Sequence, residues 1–152
     1  MNYSAIITWQ KQEDEQFEKG RYSRVHQWSF DGGMTIAASS SPSVVPLPMS
    51  DASLIDPEEA FLASLSSCHM LFFLSIAAKK RIIVERYKDH ITGMMGPDSE
   101  GKMAMLNATL DPVIIFSGDQ PSTETIRGIH ELAHQSCYIA SSVKTKIEII
   151  TR

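Results

Sequence analysis

Residues 60–78 read AFLASLSSCHMLFFLSIAA, a stretch apolar on nearly every side, with Pro57-Glu58-Glu59 before it and Lys79-Lys80-Arg81 after it. The flanks define a helix. Asp56 offers an oxygen to the free amides of a first turn, Pro57 stands where no donor is needed, and the two glutamates suit the positive end of the dipole. The cations at the other end suit the negative one, so the sequence predicts a helix from residue 57 to about 80. Four serines and a histidine lie within the stretch and favour packing against protein over lipid, so no membrane partner is expected. A helix apolar all round must be buried all round, which one chain of 152 residues with small sheets hardly achieves. A second copy packing the same helix alongside would achieve it, so the chain is expected to form a homodimer.

Around this helix the pattern is mixed. Asn2 to Trp9, Ser23 to Phe30 and Met34 to Ala38 read as strands, with Asp31-Gly32-Gly33 supplying the positive φ angles of a hairpin turn. Ser39 to Asp56 carries three prolines and many serines, and is expected as a long surface loop. Val84 to Thr92 and Met103 to Asp111 alternate as strands, the second resuming at Val113 to Phe116 after Pro112, with Gly96-Pro97 and Glu100-Gly101 in the turn between them. Ser122 caps a second helix from Thr123 to about His134. Its Ile126, Ile129 and Ala133 share a face that includes Cys137, which is therefore expected to point inward. Val143 to Ile150 is a last strand. The whole reads as one α+β domain over residues 1–152 without internal repeats.

The formal charge of −4, and the lack of a glycine-rich phosphate loop or of any Lys/Arg run beyond the three residues that close the helix, speak against nucleic acid as a partner. The N-terminal MNYSAIITWQ has no export pattern, so a cytoplasmic location is expected. In a reducing compartment two cysteines point to redox, catalytic or metal chemistry ahead of a structural disulfide.

Cys68 falls mid-helix, where burial alone disfavours the thiolate, so reactivity requires a nearby cation. In an extended Ser23 to Phe30, Arg24 shares the apolar face of His26, Trp28 and Phe30, and Glu58 or Glu59 would partner it. Glu58 precedes Cys68 by ten residues, about 15 Å of helix. That is too far within one chain. Two such helices packed antiparallel across a twofold axis would bring the acid of one to the thiol of the other, which predicts a site built at the dimer interface. His69 points about 100° away from Cys68 and is expected to be structural or interfacial.

DPEEAFLASLSSCHMLFF at 56–73, HELAHQSCYIASSVKTKIEI at 130–149 and the strand-rich region before them resemble the OsmC/Ohr family of osmotically induced and organic hydroperoxide resistance proteins. The resemblance implies an intertwined homodimer with two long central helices packed against antiparallel β-sheets. It also implies a thiol peroxidase in which Cys68 attacks, Cys137 closes a disulfide with it, and Glu58 holds an arginine beside the thiolate. An organic hydroperoxide would be the substrate and an external dithiol the reductant, with no cofactor. The chain departs from the family at that arginine: the loop position of one branch corresponds to Pro48, with no arginine near it, so Arg24 is the expected substitute and Arg21 stands behind it. Phe72, Phe73, Met70, Met94 and Met95 would line an apolar peroxide pocket.

Two other classes compete. His130-Glu131-Leu132-Ala133-His134 matches the zinc-hydrolase pattern, with Cys137 or Glu148 as the nearest candidate third ligand. A non-catalytic dimer binding small hydrophobic ligands is the other, given the missing loop arginine.

Overall fold

The computed structural model describes residues 1–152, which divide into two compact units, Met1–Ala60 and Phe61–Arg152. In the first unit three strands form an antiparallel meander: β1 (Ala5–Thr8), β2 (His26–Phe30) and β3 (Thr35–Ala38), in that order across the sheet. Ile7 pairs with Trp28 and Trp28 with Ile36. The β2–β3 turn closes where Gly33 adopts φ 85°, a conformation that costs glycine nothing. Residues 39–56 form no helix or strand, only a single bridge between Ala38 and Ile55, as the prolines dictate. Buried Ser39 ties this segment down: its N–H donates to Ile55 O at 3.0 Å, and its Oγ accepts from Asp51 N at 3.0 Å.

Helix α1 (Pro57–Lys79) begins with the reciprocal cap its sequence encodes. Glu59 N–H donates to Asp56 Oδ1 at 2.8 Å, and Asp56 N–H donates back to Glu59 Oε2 at 3.3 Å. Within the chain the helix buries one stripe, Leu65, His69, Phe73 and Ala77, each four residues from the last. Burial on every side is therefore not met by a single chain, and Leu71 on another face is 60% exposed.

The second unit completes β4 (Val84–Asp89), β5 (Thr92–Pro97), β6 (Met103–Leu110), β7 (Pro112–Phe116), α2 (Thr123–Ser136) and β8 (Lys146–Ile149). β4 and β7 form one antiparallel pair; β5, β6 and β8 form a sheet in which β6 and β8 run parallel, the one parallel pairing among otherwise antiparallel ladders. The fold is α+β, two helices with sheets, as expected. One expectation is corrected: Gly96-Pro97 belongs to a strand. The turn is instead formed around Asp98, whose Oδ1 accepts from Glu100 N and Lys102 N, with Gly101 at φ 78°. The strand expected over residues 84–92 ends at Asp89 for a related reason, since Asp89 Oδ1 turns to accept Asp111 N–H at 2.7 Å.

Two apolar clusters form the core of this unit. Phe73, Ala77, Ile126, Ile129 and Ala133 join α1 to α2, while Leu65, Ala108 and Cys137 form the second with Leu62, Cys68, Ile139 and Ile147 against it.

Candidate active site

Helix α2 is capped by Ser122, whose Oγ accepts from Thr125 N at 3.1 Å, and it stops at Ser136. Cys137 is thus the first residue beyond the helix, with extended backbone (φ −69°, ψ 113°), and not part of its inward face. Its side chain is nonetheless 0% exposed. The chain then makes a short turn over Ala140–Ser142, in which Ala140 N–H donates to Cys137 Sγ at 3.4 Å and Ser141 N–H to Cys137 O at 3.0 Å. Burial pushes the Cys137 thiol up to about 11, and a hydrogen-bonding contact with the neighbouring Cys68 adds to it. Both cysteines are free thiols in one apolar cluster.

Cys68 differs in exposure. It is only partly buried and lines a cavity of about 510 Å³ with Ser64, Ser67, Leu71, Phe72, Tyr138 and Ile139. Of these, Ser64, Leu71 and Phe72 lie on the same face of α1 as Cys68, three or four residues from it. Phe72 is met edge-on by Tyr138, with ring centroids 5.1 Å apart at 83°. No charged side chain lines this cavity. Of the pocket residues expected from sequence, only Phe72 is there. Phe73 is 0% exposed in the other cluster, Met70 is not at the cavity, and Met94 and Met95 stand on β5, 61% and 42% exposed. Leu71 was legible from its helical spacing; Tyr138 was not, because its position depends on how the chain leaves α2.

In the first unit Arg24 and Glu58 line one cavity of about 530 Å³ together with Trp9, Phe17, Tyr22 and His26. The expected ion pair between Arg24 and a glutamate does not form within the chain. Arg24 Nη1 donates to Gly20 O at 3.1 Å and Tyr22 O at 2.6 Å, and the guanidinium lies 3.5 Å from the Tyr22 ring centroid. Carbonyls and an aromatic face hold the cation instead. Glu59 is occupied by the helix cap, and Arg21 is exposed. Trp9, Phe17 and Tyr22 stack around the cavity with centroids 4.6 to 5.7 Å apart.

His69, expected to be structural or interfacial, packs inside the chain. It is 2% exposed, and its Nε2 lies 2.9 Å from Nδ1 of His130, itself 3% exposed. Burial lowers both rings from the usual 6.5 to about 4, His69 being pushed further by its proximity to His130 and His134, so both are neutral at pH 7. This pairing also bears on the zinc pattern. One nitrogen of His130 is used, Cys137 sits against Cys68, and no three His, Cys, Asp or Glu side chains converge on one point. The donor set does not fit a zinc site.

The long apolar helix of this α+β chain thus carries one free cysteine at a cavity, with a second free cysteine beside it in the core. The chain belongs to the family described as OsmC-like protein, which matches residues 50–152. It is similar to an OsmC-like protein of unknown function from Vibrio cholerae, at 50% identity over 99% of both chains and a TM-score of 0.95. The fold is shared with an organic hydroperoxide resistance protein from Elizabethkingia anophelis, 16% identical over 98% of this chain and 92% of that one, with a TM-score of 0.71. It is shared too with the organic hydroperoxide resistance protein of Bacillus subtilis, 16% identical over 97% and 98%, with a TM-score of 0.62. Among curated proteins none matches.

Proposed function

We propose that this chain is a thiol peroxidase that reduces organic hydroperoxides as a cytoplasmic homodimer. The observation that carries the reading is the pair Cys68 and Cys137: neighbouring thiols in one apolar cluster, the first at a cavity and the second sealed behind it. The Cys68 thiolate attacks the distal oxygen of the peroxide, the O–O bond breaks, the alkoxide leaves as alcohol after protonation, and a sulfenic acid remains. The Cys137 thiol then displaces water from it to give the disulfide, which an external dithiol reduces. A mostly apolar cavity favours a hydroperoxide with an organic group over hydrogen peroxide.

The cation required by the thiolate is assigned to Arg24 of a second copy, supported by Glu58. No charged group lines the Cys68 cavity within the chain, and Arg24 already shares a cavity with Glu58, so an interface site meets both facts. Consumption of cumene hydroperoxide with a dithiol tests the reading. Turnover is expected for the wild-type protein and should vanish in Cys68→Ser; turnover surviving that substitution refutes the assigned nucleophile.

A further inference from the structure

The disulfide of the proposed cycle has two sulfurs, and they are not equivalent. Cys137 is 0% exposed, held at its sulfur by Ala140 N–H and at its carbonyl by Ser141, whereas Cys68 is only partly buried and lines a cavity. We infer that the external reductant opens the disulfide at Cys68 Sγ, so that Cys137 is oxidised and reduced without ever meeting a second molecule. This rests on the Cys68–Cys137 disulfide of the proposed function.

Thiol–disulfide exchange requires the incoming thiolate to approach along the axis of the bond it breaks. For attack at Cys68 that approach leads in from the cavity, past Ser64, Leu71 and Tyr138. Cys137 has no such opening: it is fully buried and clustered with Leu65 and Ala108, both 1% exposed or less. Leaving-group chemistry runs the other way, because the poorly acidic thiol of Cys137 departs reluctantly as a thiolate. Access decides the outcome, since a slow leaving group reduces a rate while a blocked trajectory removes the path. The Ala140 N–H, already aimed at Cys137 Sγ, offers the departing thiolate a donor.

The steps balance. The reductant's first thiolate forms a bond to Cys68 Sγ as the Cys68–Cys137 bond breaks, and the Cys137 thiolate takes up the proton that the reductant's thiol released. The reductant's second thiolate then attacks its own first sulfur in the mixed disulfide and frees Cys68 as thiolate. Two electrons pass to the protein, and the reductant leaves as a cyclic disulfide. Peroxide and reductant must then use the same cavity in turn, so each should compete with the other at high concentration.

The full-length protein, oxidised with diamide so that no peroxide chemistry is involved, is given a short pulse of 2-mercaptoethanol, quenched in acid, blocked with N-ethylmaleimide and peptide-mapped. The mercaptoethanol adduct is expected on Cys68 and the maleimide on Cys137, by about tenfold or more over the reverse. The preference should disappear when the pulse is given in urea. An adduct mainly on Cys137, a preference that persists in urea, or failure of diamide to form the disulfide each overturns the inference. Peroxide turnover is measured separately: exchange at Cys68 in a protein that consumes no peroxide would end the peroxidase reading and leave this inference standing.

Discussion

His69 Nε2 and His130 Nδ1 lie 2.9 Å apart, edge to edge in rings whose planes differ by 11°, joining α1 to α2 inside the core. One ring donates and the other accepts, so the contact requires at least one neutral imidazole. A second proton would place two cations in contact without water.

Both rings have folded pKa values lowered from 6.5 to about 4, so between those values the unfolded chain binds more protons than the folded one. The stability they contribute is fully present above pH 6.5 and is lost as pH falls toward 4. For one ring the loss is at most on the order of 3 kcal/mol, and the two are coupled and do not add. Urea unfolding from pH 7 to 5 should show falling stability before most carboxylates titrate, with a shallower fall in His130→Gln. A flat profile over that range would contradict the buried neutral pair.

Two glycines should respond to alanine with opposite signs. A Cβ at Gly93 would lie 2.5 Å from Met105 Sδ and 2.8 Å from Leu62 Cδ2, whereas one at Gly128, within α2, meets nothing within 4 Å. Gly93→Ala is expected to cost up to about 1 kcal/mol, since the atoms that must shift are the flexible ends of Met105 and Leu62 beside the Cys68 cluster. Gly128→Ala should stabilise by about 0.5–1 kcal/mol through helix propensity. Thermal unfolding of the two variants checks both signs.

How far the sequence reveals this arrangement depends on the range of the interaction. Asp56, Pro57 and Glu59 announce the start of α1 because a cap is made by residues within one turn of each other, and Ser122 does the same for α2. Gly96-Pro97 misleads because a strand edge tolerates both residues, while the real turn depends on Asp98 and a positive φ at Gly101. His69 and His130 are 61 residues apart, and helical spacing identifies their faces without revealing that the faces meet. The nearness of Cys68 and Cys137 came from family resemblance, since Cys137 is positioned by the exit from α2 and not by its periodicity. Arg24 was located at a cavity with Glu58, but its partners are carbonyls and Tyr22, acceptors that no charge pattern encodes.

Cys137→Ser should leave the first encounter with peroxide intact and remove the thiol that closes the disulfide. One equivalent of cumene hydroperoxide is expected to be consumed at near wild-type rate, after which excess peroxide carries Cys68 to sulfinic acid, visible by mass spectrometry as two added oxygens. Continued turnover without overoxidation would remove Cys137 from the cycle.

The interface assignment of Arg24 can be tested by mixing subunits. Arg24→Gln and Cys68→Ser should each be nearly inactive as homodimers. Co-refolded in equal amounts, half the dimers carry both variants and one intact site of two, restoring about a quarter of wild-type activity. No recovery would place the cation and the thiol in the same chain.

The stripe of Leu65, His69, Phe73 and Ala77 is all that one chain buries fully of a 23-residue, largely apolar rod. For the proposed dimer, folding and association then become a single event, and the free energy of the native state carries a concentration in it. Diluting the protein a hundredfold should lower its melting temperature by several degrees, a dependence that a self-sufficient subunit would not show.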